Sequence, residues 1–226
     1  MSAADPGVPQ DGSARRHRRL RPLDWIVLAN GALFAAMVAL FYWDRFEAHR
    51  RSANVREFFV YACVFALLVG WLWWWLRRFP VRWRLLVAGE AALLLHFAGG
   101  VSIRPGVRLY DVRLLPIGDM RFDKVVHVAA CIVVGLVVGA IVRAHDVKFG
   151  RLRAISMILI VVGLGALWEI CEYLVVCNFP DAGVGGYDNN MQDMIANVAG
   201  AVVYASLPAS WRAAVEDAPV PAGGAG

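Results

Sequence analysis

The sequence predicts an all-α fold, a polytopic transmembrane helical bundle of about six spans. Three observations predict it. Of the 226 residues, 59% are hydrophobic and 18% charged, against about 25% charged in an ordinary soluble domain. The apolar residues come in continuous blocks rather than at alternating or 3.6-residue spacing, and most blocks approach the ~20 residues a helix needs to cross a hydrocarbon core of about 30 Å. All 23 Lys and Arg fall between the blocks or at their edges, where topology and lipid headgroups put them. Helices follow because each unpaired backbone group in lipid is expensive.

Residues 1–22 are polar and end in the basic run Arg15, Arg16, Arg18, Arg19 and Arg21; they read as a disordered cytoplasmic N-terminus. The first span is expected near 25–43, where 19 residues pass without a charge. That is longer than the apolar core of a signal peptide, about 7–15 residues, and no small-residue cleavage site follows it. The second span is expected near 58–76 and ends in Trp71, Trp73, Trp74 and Trp75, an interfacial aromatic belt. The third, fourth and fifth are expected near 85–103, 125–142 and 154–177. The sixth, near 191–207, contains Gln192, Asp193 and Asn197 and could instead be re-entrant. The loop 104–122 is apolar enough to lie at the interface, and 209–226 reads as a disordered tail.

With the N-terminus inside, inner segments carry 14 Lys and Arg and outer loops 9, so both termini are expected in the cytoplasm. The net charge of +5 belongs to this pattern. No nucleic-acid motif accompanies it, so the expected partner is membrane lipid, with no nucleic acid; the oligomeric state is left open. Cys63, Cys131, Cys171 and Cys177 match no metal or redox spacing, and no disulfide is expected.

The informative residues are the ionisable ones inside the spans, each costing at least about 2.5–3.5 kcal/mol near a helix centre. Alternating topology places His96 on the third span roughly 10 Å below its outer end. It places Asp123 at the mouth of the fourth span with His127 one turn deeper, and Glu169 and Glu172 in the outer part of the fifth. Asn190, Asp193 and Asn197 occupy the first turns of the sixth. Asp123 and His127 are i,i+4 and Glu169 and Glu172 are i,i+3, so each pair shares a helix face. Glu90 lies roughly 9 Å deeper than His96 and is expected to hydrogen-bond elsewhere.

Imidazoles and carboxylates converging from four spans form the donor set of a divalent metal such as Zn, Fe or Mn. The candidate ligands are His96, Asp123, His127, Glu169, Glu172 and Asp193, and Glu169, Glu172 and Asp193 are also candidate catalytic carboxylates. Such a metal could activate water in a membrane-embedded enzyme acting on lipid-like substrates. Three alternatives stay open: a proton- or cation-coupled transporter, a non-catalytic lipid-binding or partner-binding module, and, residue by residue, simple packing. In the last, His96 is a helix-packing histidine, Asp123 an N-cap, Asn189 and Asn190 loop caps, and Arg121 and Lys124 balance the charge from the rim.

The order His96-x-x-Gly99-Gly100, Phe122-Asp123-Lys124-x-x-His127, Trp168-Glu169-x-x-Glu172-Tyr173 and Tyr187-Asp188-x-x-x-x-Asp193-Met194 resembles the YjdF-type family of bacterial inner-membrane proteins. The Asp-Lys-x-x-His element and Asp193-x-x-x-Asn197-x-x-Gly200 are also similar to VanZ-like membrane proteins. The resemblance covers roughly 85–205 and implies a bundle in the bacterial cytoplasmic membrane with its polar site at these positions. It implies no reaction. The stretch Asp181 to Asn189 departs from the glutamine-containing loop of that family.

Overall fold

The structure, a computed structural model, describes residues 20–41, 82–104, 107–114, 120–178 and 186–216, together with single residues between 63 and 77. Its elements are α1 (Pro22–Phe41), α2 (Trp83–Gly99), β1 (Ser102–Arg104), β2 (Val107–Arg108), α3 (Phe122–Ala144), α4 (Arg153–Asn178), α5 (Tyr187–Ser206) and α6 (Ala209–Glu216). The molecule is an all-α membrane protein with one small hairpin. Among the described residues, two stretches are long and apolar enough to cross a membrane alone, Phe122–Ala144 and Gly150–Leu174, and α5 with α6 is a third if that bent pair is one span. The second expected span, 58–76, lies outside the described residues apart from single helical positions such as Cys63, Trp71 and Trp73. The start of the N-terminal segment and the end of the tail also lie outside them.

Helix α3 is the hub and packs against α2, α4, α5 and α6, while α4 also packs on α5 and α1 on α2. Its ends suit its dipole, with Asp123 in the first turn and Arg143 in the last. The reversal into α4 uses two left-handed residues, Asp146 (φ 50°) and Gly150 (φ 56°), a conformation that only Gly adopts without penalty. On α5, Asn190, Asp193, Asn197, Gly200, Ala201 and Tyr204 are buried, and their spacing puts them on one face. That face meets α3 at backbone distance: a Cβ on Gly200 would lie 2.6 Å from the Val128 carbonyl oxygen, and one on Gly135 would overlap the Tyr204 ring. Such small-residue contacts replace the hydrophobic drive that lipid cannot supply. Outward, α4 exposes Ile155, Leu159, Leu167, Ile170 and Leu174, a surface suited to acyl chains.

Two expectations are corrected. The third span does not continue to 103: α2 ends at Gly99 because the chain turns into the β1–β2 hairpin, and the Tyr110 ring fills the space a side chain at 99 would need. The loop that follows is built rather than irregular. Leu109–Asp111 forms a 3₁₀ turn, and Arg113 bridges Arg121 just before α3. Arg108 Nε holds Asp111 Oδ2 at 3.0 Å, and this hydrogen bond keeps the Asp111 carboxyl below the usual carboxylate range. The pair therefore contributes at neutral pH and is lost as pH falls through that lowered value.

The second correction is at the C-terminus. Ala209–Glu216, expected in a disordered tail, is a helix set at 98° to α5. Pro208 forces the bend, since it cannot donate to the α5 ladder and holds Leu207 extended (ψ 140°). What orders α6 is Glu216, whose side chain is fully buried. Its Oε2 meets Arg143 Nε at 2.8 Å and an Arg153 terminal nitrogen at 3.4 Å, and its Oε1 accepts from the Tyr204 hydroxyl at 2.8 Å. Replacing Tyr204 with Phe leaves that oxygen without its donor and should cost about 1–3 kcal/mol. Hydrogen exchange over 209–216 should then accelerate in Tyr204→Phe; unchanged protection there would contradict the clamp.

Candidate functional site

The polar cluster is assembled at the N-terminal ends of α3 and α5 and the C-terminal part of α4. Helices α3 and α5 present matching sets, Asp123, Lys124, His127 and Cys131 on one, Asn189, Asn190, Asp193 and Asn197 on the other. Lys124 is buried and ties them together. Its Nζ donates to Asp193 Oδ1 at 2.7 Å, Asp123 Oδ2 at 2.9 Å and Asn189 Oδ1 at 2.9 Å. Asn189 Nδ2 donates to the other Asp193 oxygen at 2.5 Å. Both oxygens of a buried carboxylate are thus partnered, as a low-dielectric site requires.

His127 lies between two acids. Its Nε2 is 3.4 Å from Asp193 Oδ1 and its Nδ1 is 3.4 Å from Glu169 Oε1. Asn197 orients the ring. Its Nδ2 donates to Glu169 Oε1 at 3.3 Å, so its Oδ1 must be the atom facing His127 Nδ1 at 3.1 Å and Cys131 Sγ at 3.3 Å. A carbonyl oxygen only accepts, so Nδ1 donates to Asn197, and Nε2 faces Asp193 Oδ1 at 3.4 Å. In addition, Glu169 Oε2 and Asp123 Oδ1 are buried with no hydrogen-bond partner among the described residues. Asp123, Glu169, Glu172 and Asp193 share this end of the bundle with the Lys124 ammonium, and Arg108 and Arg121 stand at its edge.

Of the six expected ligands, His127, Glu169 and Asp193 come together. Each offers one donor atom, and these atoms lie within 4.8 Å of one another. The 3.4 Å between Nε2 and Oδ1 is close to the ~3.3 Å edge of a tetrahedron with bonds of about 2.0–2.1 Å, so the donor set fits a small divalent ion. The other three are placed elsewhere. His96 Nδ1 is 2.8 Å from the Tyr110 hydroxyl, which itself donates to the His96 carbonyl at 2.5 Å, and its ring meets Trp168 edge-on. Asp123 is held by Lys124. Glu172 accepts from Trp168 Nε1 at 2.7 Å, at the rim. The deeper Glu90 accepts from Asn30 of α1, a separate contact as expected.

Lys124, Asn189 and Asn197 carry the site as much as the three ligands do. Lys124 directly follows Asp123 and so projects from a different angle of the helix, which made it look like a rim residue. The signal for Asn197 is its spacing of four residues, about one turn, from Asp193, on the same face. Tyr110 gave none, since its partner His96 is reached only through the hairpin.

If Lys124 is the counter-ion of Asp193, Lys124→Met leaves a buried carboxylate unbalanced and should lower stability by about 3–5 kcal/mol. The double replacement Lys124→Met with Asp193→Leu should recover most of that loss. Thermal melts in detergent decide; single and double variants of equal stability would remove the pair from this role.

No curated protein and no solved structure matches the chain. Residues 29–214 match the family described as predicted membrane protein, DUF2238. The match spans well over half of the sequence, the bundle and its polar cluster included, and the chain belongs to that family.

Proposed function

We propose that this protein is a membrane-embedded, divalent-metal-dependent hydrolase of lipid-like substrates. The observation that carries this reading is the opposition of His127 Nε2 and Asp193 Oδ1 at 3.4 Å, with Glu169 closing a three-donor set. His127, Glu169 and Asp193 would hold the ion, Zn, Fe or Mn by donor type. Bound there, such an ion supplies Lewis-acid polarisation and a water of lowered pKa.

The protein's own residues divide the remaining work. Asn197, which lies against His127 Nδ1, would leave Nε2 for the ion, the partner role that metal-bound histidines need. Lys124 orients Asp193. Glu172, held by Trp168, would take a proton from the attacking water. The apolar outer face of α4 supports a substrate that arrives from the bilayer. In this reading the site faces the outer leaflet of a bacterial cytoplasmic membrane, with six spans and both termini inside, and the likeness to YjdF-type and VanZ-like proteins extends to the site.

Elemental analysis of detergent-purified protein tests the metal. Wild type should carry about one ion per chain, His127→Ala and Asp193→Asn should lose it, and Asn197→Ala should weaken affinity about 10–100-fold. Sub-stoichiometric metal in wild type, unchanged by Glu169→Gln, would sink the reading.

A second reading is favoured by one feature: His127 has a carboxylate near each ring nitrogen, the geometry of a proton relay. There the protein moves protons or cations, and purified protein in liposomes should pass a cation under a pH gradient. A sealed liposome that shows no flux rejects it.

A further inference from the structure

A second polar assembly lies at the opposite end of the bundle. From His127 to Arg143 is 16 residues of one helix, roughly 24 Å at 1.5 Å per residue. Four helix ends meet there, and each brings an arginine. Arg82 precedes α2, Arg143 closes α3, Arg153 opens α4, and Arg212 lies on α6. Arg82, Arg143 and Arg153 reach the short segment from Tyr204 to Glu216, on which Arg212 lies. Arg82 donates to the Ala214 carbonyl at 3.0 Å and Arg212 to the Ala205 carbonyl at 3.1 Å. Arg212 also lies over the Tyr204 ring. Arg143 and Arg153 converge on Glu216.

In these contacts Glu216 answers two of the four guanidiniums, and the other two meet backbone carbonyls. Two of the four are also badly placed for their own helices. Arg82 and Arg153 sit at N-terminal ends, where the helix dipole disfavours a cation and favours an anion. Moreover, Arg82 Nε and Arg212 Nε are buried donors without a hydrogen-bond partner among the described residues. A buried, unpaired N–H on a charged group is costly. An oxyanion at the exposed part of this arginine group relieves the positive charge and the dipole conflict together, and arginine forks suit phosphate.

The depth of the assembly says which phosphate. Trp83 and Trp211, exposed beside Arg82 and Arg212, are residues of the membrane–water interface. Helix α6 turns 98° from α5 and buries Glu216 while exposing Trp211, the habit of a helix lying in the headgroup plane. We infer that Arg82, Arg143, Arg153 and Arg212 form a headgroup site for an anionic phospholipid, organised around Glu216 on α6. Basic pockets between transmembrane helices are known to take such headgroups. The site is independent of the metal reading, being at the other face and needing no ion.

The test titrates short-chain phosphatidylglycerol, phosphatidylcholine or inorganic phosphate into the full-length protein in neutral detergent and reads binding by native mass spectrometry. Phosphatidylglycerol should bind well above phosphatidylcholine. Arg82→Gln with Arg212→Gln should weaken it about 25-fold, from roughly fivefold for each basic residue at an anionic surface. Arg82→Lys with Arg212→Lys, which keeps the charge, should fall between. Far-UV circular dichroism shows whether each variant is folded; an unfolded double variant is replaced by Arg212→Gln alone, expected about fivefold weaker. Equal binding of the two lipids, or a folded Gln variant that binds like wild type, overturns the proposal. Inorganic phosphate competing as well as the lipid overturns the lipid as ligand and leaves a soluble phosphate in its place.

Discussion

A charge in a bilayer must be matched, and in this protein the match between Lys124 and Asp193 organises everything around it. Neither residue could stay ionised alone among apolar helices. At 2.7 Å the pair fixes the register between α3 and α5, and the rest of the cluster follows from that register. One turn below, it sets His127 against Asp193, and one turn further it sets Asn197 against His127 and Cys131. Helix α4 then joins through Glu169, reached by the side chains of Asn190 and Asn197.

Such a cluster requires helices that nearly touch. The glycines of α3 and α5 permit this, since any side chain on Gly200 would strike the α3 backbone. The same close approach continues to the other end, where Gly135 and Gly139 make room for Tyr204, and Tyr204 in turn holds Glu216. The bundle thus has two polar poles on one pair of helices. Among the described residues, one pole gathers carboxylates about the Lys124 ammonium and the other gathers guanidiniums about the Glu216 carboxylate. That contrast is why the first is read as a cation site and the second as an anion site.

Parts of this were legible in the sequence. The level of His127, Glu169 and Asp193 could be read because depth in a bilayer follows from residue count along a span, and their helix faces because spacing sets angle. The hairpin was not legible: Ser102–Asp111 has no strand alternation, and its form depends on Tyr110 reaching back to His96. The last helix was not legible either. Ala209–Glu216 is short, and an isolated helix of 8 residues is unstable in water. Its order comes from two arginines and a tyrosine on other helices.

The sequence by itself determined the class of the protein, an all-α membrane chain, because transfer of apolar blocks into lipid depends on composition and length alone. It also set which residues are expected at a similar level along their spans. Only the tertiary structure decided which of them meet. Tyr110 takes His96 and Trp168 takes Glu172, while Lys124 bridges Asp123 and Asp193, so that His127, Glu169 and Asp193 face one another. The physical reason is that ion pairs and hydrogen bonds act over about 3 Å, and sequence spacing places a side chain on a face and at a depth but not within that distance of a residue on another helix.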